Sequence, residues 1–303
     1  MELNKIIFGD NLTILKELPS DSIDLIYLDP PFFTQTNWTK NMNTFGDKWK
    51  DMNEYINFMS LRLKELHRVL KPTGTIYLHC DYHANSELNI EMKKIFGYKN
   101  YQTTIIWKLL NSSFGNKVNK IFHESTDTIL VYTKSNNYIY KKCYTPYPNN
   151  IQKQYKNPDN DPKGKYVWKN FSSRDGIQQI PNETKLKENE ESNIKFIKKE
   201  GYKYFYKQYN HGRLISNIWD DIGRGGMRYK YPTQKPEKLL ERIILASSNP
   251  GDIVLDPFCG SGTTCVVAKK LGRNYIGIDQ SEDAVKLTEE RLDKINIPKS
   301  LWE

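Results

Sequence analysis

Ile253-Val-Leu-Asp256-Pro-Phe-Cys-Gly260-Ser-Gly262-Thr-Thr264 decides the fold. A short apolar strand, Ile253–Leu255, runs into a loop with two glycines, and a helix opens at Thr263. Glycines there permit a tight turn and let a ligand approach the backbone closely. Seventeen residues beyond Gly262, Asp279 ends the next strand in Gly277-Ile-Asp279. An acidic residue at that place can accept hydrogen bonds from a ribose diol. The two features predict a nucleoside-containing cofactor; the alternative is a plain strand–turn–helix whose glycines serve packing. A nicotinamide or flavin fits less well. Cys265 stands where the third glycine of a dinucleotide fingerprint belongs, and 41 residues follow Gly262, too few for the rest of a dinucleotide domain. Strands from the N-terminal half must complete the sheet, so the chain reads as circularly permuted.

That half supplies them. Lys5–Phe8 is strand-like, and the chain reaches it directly from Met1, which predicts no targeting segment. Asn11–Leu18 reads as a helix, and Asp24–Leu28 as an apolar strand ending at Asp29-Pro30-Pro31. Tyr55, Met59, Leu63, Leu66 and Leu70 share one face of a long helix, stopped by Lys71-Pro72-Thr-Gly74. Thr75–Leu78 follows as a strand, then a helix over about 84–96 and two β-rich runs, Thr103–Trp107 and Thr128–Tyr132. After the insert discussed below, Pro236–Ser248 reads as a helix, Tyr275–Ile278 as a strand, and a last helix starts at Glu282. The expected class is α/β, a doubly wound and mostly parallel sheet, with ligands beyond the carboxyl ends of its strands.

Asp29-Pro30-Pro31-Phe32 ends one of those strands. Two prolines remove backbone donors and stiffen the turn. What remains is carbonyl acceptors, one carboxylate and an aromatic face. This suits a planar amine with two N–H donors, such as the exocyclic amino group of a nucleobase. Such an amine is a poor nucleophile, because its lone pair is delocalised into the ring. Hydrogen bonds to Asp29 and the Pro30 carbonyl would favour pyramidal nitrogen and stabilise the positive charge that develops as it attacks an electrophilic methyl. The alternative is a Pro-Pro turn that merely ends a strand.

The charge is localised. The chain has 303 residues and a net charge of +9, yet residues 134–235 carry 21 Lys+Arg against 10 Asp+Glu, and the other 201 residues carry 24 against 26. The segment holds 12 of the 20 tyrosines, with Trp168, Phe171, Phe196, Phe205 and Trp219. Cations with interleaved rings are what a nucleic-acid surface needs, for phosphates and for unstacked bases. A solvated insertion is the competing reading. Here the α/β rhythm is lost, and the segment reads as an inserted domain or a set of long loops. No run of about 18 apolar residues is present, which excludes a helical membrane span. Four scattered cysteines make neither a disulfide framework nor CxxC pairs, and predict a reducing cytoplasm.

Taken together the motifs resemble a known family. Asp29-Pro-Pro-Phe32, Thr233-Gln-Lys-Pro236 and Asp256-Pro-Phe-x-Gly-x-Gly-Thr263 are similar to those of the S-adenosylmethionine-dependent DNA amino-methyltransferases. Their order resembles the β class, which also accounts for the permutation. The resemblance spans roughly 1–135 and 230–295. It implies a Rossmann-like methyltransferase sheet with a catalytic half (1–135), a target-recognition insert (136–230) and a cofactor-binding half (231–303). It implies a catalytic pocket of Asp29, Pro30, Pro31 and Phe32. The cofactor would be held by Asp10 and Asn11 at the adenine, Thr233 and Lys235 at the methionine carboxylate, and Asp279 at the ribose. Asp256, Phe258, Gly260, Ser261, Gly262 and Thr263 would form its cradle, with Asp29 alongside. Duplex DNA is the implied partner, and a separate restriction endonuclease, a prokaryotic or phage origin, and a monomer or homodimer all accord with the family.

The initial Asp of the tetrapeptide favours N6 of adenine over N4 of cytosine, on the resemblance alone. An RNA methyltransferase and a non-catalytic DNA-binding module are the rival classes. Arg174, Arg213, Arg224 and Arg228 are candidates for base readout or phosphate contact. Gly223-Arg-Gly-Gly226 reads as a mobile loop beside the cofactor motif. No metal is expected: His79-Cys-Asp81-Tyr-His83 follows a strand and reads as pocket wall or support. His123-Glu124 is similar to a family segment near the target base, with structural hydrogen bonding as the alternative. Cys259 and Cys265 read as packing.

Overall fold

The structure is a computed structural model. It describes the chain apart from residues 36, 41–42, 47, 110–123, 159, 161, 163, 171–193, 201–202, 210, 224–233 and 296–303, with backbone alone for 37–40, 43–46, 168–170, 194–200 and 203–209. Two compact units emerge, one formed by Met1–Cys143 with Ser216–Glu303 and the other by Tyr144–Ile215.

The first unit is built on an eight-stranded sheet. In chain order its strands are β1 (Lys5–Phe8), β2 (Ile23–Leu28), β5 (Leu70–Cys80), β6 (Tyr101–Lys108), β7 (Thr126–Thr133), β13 (Ile218–Trp219), β14 (Ile253–Asp256) and β15 (Asn274–Asp279). A hairpin of β3 (Asn37–Lys40) and β4 (Asn43–Gly46) interrupts that run. The spatial order is β1-β15-β14-β2-β5-β7-β6-β13. Every pairing is parallel except those of β7, which runs against both β5 and β6. The C-terminal strands β14 and β15 thus lie between the N-terminal β1 and β2, the permuted arrangement expected.

Helices flank the sheet: α1 (Asn11–Glu17), α2 (Met52–Val69), α3 (Asn85–Phe96), and, beyond a short α4 (Asn149–Gln152) in the other unit, α5 (Glu237–Ser247), α6 (Thr263–Lys270) and α7 (Glu282–Asp293). Tyr55, Met59, Leu63 and Leu66 of α2 are wholly buried in the main core with Ile26, Leu28, Ile76 and Leu78. Each such side chain contributes roughly 1.5–3 kcal/mol. Among the described residues no helix is long and apolar enough to cross a membrane.

Several details depart from the sequence expectation. Ile218–Trp219, inside the stretch read as an insert, pairs with β6 of the main sheet. β5 begins at Leu70 directly after α2, because Leu70 already pairs with Ile23; the Lys71–Gly74 stop survives as an irregularity before Thr75 pairs with Leu25. Asp24, an acid inside the buried strand β2, is satisfied by the Lys71 ammonium at 2.8 Å and the Ile253 N–H at 2.9 Å. It therefore ties β14 to β2 instead of breaking the strand.

The second unit is a separate β-rich body. Its strands β9 (Tyr166–Asn170), β10 (Ile194–Glu200) and β11 (Lys203–Tyr209) form an antiparallel sheet in the order β10-β11-β9. β8 (Tyr144–Thr145) pairs with β12 (Arg213–Leu214). Tyr155 and Tyr166 are buried, and the Tyr147 and Tyr155 rings stack at 5.5 Å. Strand periodicity is not visible in this part of the sequence, because aromatic and lysine residues alternate without a clean apolar face.

Candidate active site

Parallel neighbours β2 and β14 deliver two Asp-Pro turns to the same edge of the sheet, where the strand order reverses. The β14 turn is the glycine loop. Gly260 and Gly262 have φ of +49° and +72°, left-handed values that favour glycine. A Cβ on Gly262 would collide with the Thr288 side chain of α7. That helix braces the loop: Thr288 Oγ1 donates to the Gly260 carbonyl at 3.0 Å, and the buried Arg291 guanidinium donates to the Ser261 carbonyl and to Thr263 Oγ1. Ser261 and Thr263 are themselves buried, so their expected part in a cradle falls mainly to the backbone. Asp256 is wholly engaged within its own loop, accepting from Phe258 N at 3.1 Å and Thr264 Oγ1 at 2.5 Å. Burial pushes its carboxyl up to about 7 against the opposing pull of these bonds.

Asp279 closes β15 beside this loop. Its oxygens accept from Gly260 N at 2.8 Å and Ser281 N at 2.9 Å, and burial raises its pKa. Each carboxylate oxygen keeps a second lone pair for a ligand hydroxyl.

The turn after β1 reaches the same place. Asp10 caps α1 through Thr13 N at 3.0 Å and accepts from Arg62 Nη2 at 2.9 Å. Buried Asn11 donates to the Pro257 carbonyl at 2.7 Å and accepts from Arg62 Nε at 2.6 Å. Arg62 also lies 3.4 Å over the Phe58 ring, which in turn packs near Phe258. Burial lowers the Arg62 pKa, and Asp10 opposes that shift. Arg62 is thus the bolt joining the N-terminal turn to the glycine loop, although it stands 51 residues from Asn11 and farther still from the loop.

The β2 turn carries Asp29. Lys235 Nζ sits 2.6 Å from Asp29 Oδ2 and 5.6 Å above the Phe32 ring. In this state the partner of Lys235 is that carboxylate. Asp29 Oδ1 is buried with no hydrogen-bond partner among the described residues. Behind it lies His79, fully buried, its Nδ1 3.8 Å from Oδ1. His79 Nδ1 is 2.8 Å from Tyr27 Oη and Nε2 is 3.1 Å from Asp127 Oδ2. Its ring packs against Phe32 and Trp107 at centroid distances of 5.9 and 5.6 Å.

The structure therefore brings together Asp10, Asn11, Asp29, Pro30, Pro31, Phe32, Lys235, Asp256, Phe258, Gly260, Ser261, Gly262, Thr263 and Asp279 along the carboxyl edge of β1, β15, β14 and β2. Thr233, Arg174, Arg224, Arg228 and His123 lie outside the described residues, as does most of the 223–226 loop, and side chains of Trp168, Phe171, Phe196 and Phe205 are likewise undescribed. Arg213 is exposed in the second unit. Sequence reasoning missed Arg62, Tyr27, Asp127, Thr288 and Arg291. None lies in a motif; the signal for Arg62 and Arg291 was a cation among apolar helix positions. His79 packs against Phe32 and lies beside Asp29, and His83 pairs with Asp81 at 2.7 Å.

The residues present fit a nucleoside sulfonium cofactor. A carboxylate with lone pairs to spare ends the strand beside the glycine loop, and a second, at the end of the adjacent strand β2, keeps a buried oxygen with no hydrogen-bond partner among the described residues.

Comparison with known proteins agrees. A family model described as DNA methylase matches residues 23–290. The chain is 33% identical to DNA adenine methyltransferase YhdJ of Escherichia coli (strain K12), over 96% of this chain and 83% of that protein. Its fold resembles TTHA0409 of Thermus thermophilus, a putative DNA modification methylase solved with S-adenosyl-L-methionine (TM-score 0.57, 19% identity, 96% and 93% of the two chains). It also resembles the cytosine-N4-specific PvuII DNA methyltransferase (TM-score 0.59, 18% identity, 98% and 88%). With the glycine loop, the Asp-Pro-Pro-Phe pocket and these matches in agreement, the chain belongs to the family of N6-adenine and N4-cytosine DNA methylases.

Proposed function

We propose that this protein transfers the methyl group of S-adenosylmethionine to the N6 amino group of adenine in duplex DNA. The observation that carries the reading is the buried Asp29 Oδ1, without a hydrogen-bond partner among the described residues, at the end of the strand next to that of the glycine loop. When bound, the cofactor supplies a methyl carbon made electrophilic by its sulfonium. Gly260 and Gly262 let the backbone approach it, Asp279 takes the ribose hydroxyls, and the Asp10–Asn11 turn meets the adenine. Thr233 and Lys235 serve its carboxylate, for which Lys235 leaves Asp29 Oδ2.

The target base leaves the helix at a cost of a few kcal/mol. Phe32 stacks on it. Asp29 and the Pro30 carbonyl accept its two amino protons, which localises the lone pair on nitrogen and offsets the charge that develops there. The basic, tyrosine-rich insert around Tyr144–Ile215, with Arg174, Arg213, Arg224 and Arg228, holds the duplex and reads its bases. The reaction belongs to the cytoplasm, where DNA and cofactor coexist.

The test is methyl transfer to duplex DNA with the modified nucleoside identified. N6-methyladenine supports the reading; N4-methylcytosine would replace adenine as the target, and preference for structured RNA over DNA would overturn it. Affinity for DNA should fall steeply with salt, and Arg213→Ala should lower the salt slope by about one counterion if it contacts phosphate.

A further inference from the structure

The reaction releases a proton. As the base nitrogen bonds the methyl carbon, the carbon–sulfur bond breaks and its electron pair goes to sulfur. The nitrogen then carries a positive charge, and one N–H proton must leave. Asp29 is the group in contact with that nitrogen, and its two oxygens have different surroundings. Oδ2 faces the Lys235 ammonium at 2.6 Å, whereas Oδ1 is buried and has no hydrogen-bond partner among the described residues.

What lies behind Oδ1 is His79 Nδ1, at 3.8 Å. A carboxylate only accepts, so His79 Nε2 carries the hydrogen and donates to Asp127, which leaves Nδ1 as a lone pair that accepts from the Tyr27 hydroxyl. This tautomer leaves Nδ1 basic, engaged by the Tyr27 hydroxyl and 3.8 Å from Oδ1. The other titratable neighbours stay neutral: burial pushes both the Tyr27 phenol and the Cys80 thiol up. An imidazolium at this point would lie between Asp29 and Asp127. Asp127 is 17% exposed, whereas His79 is fully buried, so the route outward runs through Asp127.

Resting on the proposed methyl transfer, we propose that His79 is a positioning residue that resets Asp29. The proton lost by the amino nitrogen passes to Asp29 Oδ1, then to His79 Nδ1 as the Tyr27 hydroxyl rotates aside, and leaves by way of Asp127. No further reactant is needed, since the proton ends in water.

The experiment pairs kinetics with spectroscopy. Under steady-state conditions the wild-type rate should rise with pH to a plateau, because every turnover has to pass its proton through His79. His79→Asn should slow the transfer about 10- to 100-fold, flatten that limb, and leave the KM for cofactor and DNA within about twofold. A His79→Asn variant with the wild-type pH profile overturns the proposal. Should that variant not fold, Asp127→Asn replaces it: the limb should move to lower pH, and an unmoved limb overturns the proposal. Independently of activity, the His79 imidazole resonances of the full chain should differ between Asp29→Asn and wild type, because the anion 3.8 Å away is gone. Unchanged resonances overturn the coupling. Absence of methyl transfer by the wild type would instead count against the proposed function, and the resonance measurement still decides the Asp29–His79 link.

Discussion

Asp29 and Asp256 both precede proline and both end central parallel strands, β2 and β14, that are neighbours in the sheet. Their surroundings differ completely. Asp256 is 3% exposed and has both oxygens bonded inside its own loop. Asp29 has one oxygen on a lysine from a distant part of the chain and one with no hydrogen-bond partner among the described residues. The first carboxylate builds a loop, and the second is only half engaged. The lesson is that a motif residue is read by what occupies its lone pairs. An acceptor already filled belongs to the scaffold, and a buried acceptor left open carries a desolvation cost that a ligand can relieve.

The comparison can be broken in several ways. The largest effect is expected at Asp29. Asp29→Ala should lower the rate of methyl transfer about 10²- to 10³-fold or more, with its thermal midpoint close to wild type. A variant that unfolds instead would place Asp29 with the scaffold. Next is Gly262→Ala, which adds a Cβ at a left-handed φ and drives it into Thr288. Cofactor affinity, followed by calorimetry, should drop at least tenfold, and the folded state should lose about 1–3 kcal/mol.

Asp256→Ala should show the reverse of Asp29→Ala. Loss of both loop bonds should destabilise the protein by about 1–3 kcal/mol in denaturant titration, with transfer impaired only as far as the loop loosens. A variant of normal stability and no activity would make Asp256 a ligand-binding group after all.

The smallest effect is in pH dependence. The Asp256 carboxyl is raised to about 7, whereas in the unfolded chain it titrates near ~4. Between those values the folded protein holds a proton that the unfolded chain has released. Its contribution to stability is therefore full below about pH 4 and is lost as pH rises through about 7. Relative to Asp256→Asn, the wild-type thermal midpoint should fall between about pH 4 and pH 7 and keep a constant offset outside that window. Parallel curves throughout would show that the loop bonds outweigh burial.

Legibility followed sequence distance. The glycine loop, the tetrapeptide and Asp279 could be read because each acts through a local turn at the end of an apolar strand. Helix α2 was visible through Tyr55, Met59, Leu63 and Leu66 at helical spacing. By contrast, Arg62, Arg291 and Asp127 act through contacts with residues far away in the chain, and a buried arginine in a helix looks like a surface charge until its partners are known. The Tyr144–Ile215 unit gave a composition and no pattern, since aromatic rings and lysines share its strands.

The order of the principal strands and helices, the permuted sheet and the two Asp-Pro turns follow from the sequence alone, because apolar periodicity and turn residues are local properties. Which carboxylate stays open was decided by the tertiary structure. Only folding brings Lys235 onto one oxygen of Asp29 and buries His79 behind the other, while Thr264, eight residues on in the chain, fills Asp256. Lone pairs are satisfied by whatever the packed chain brings within about 3 Å, and that proximity is not written in the spacing of a motif.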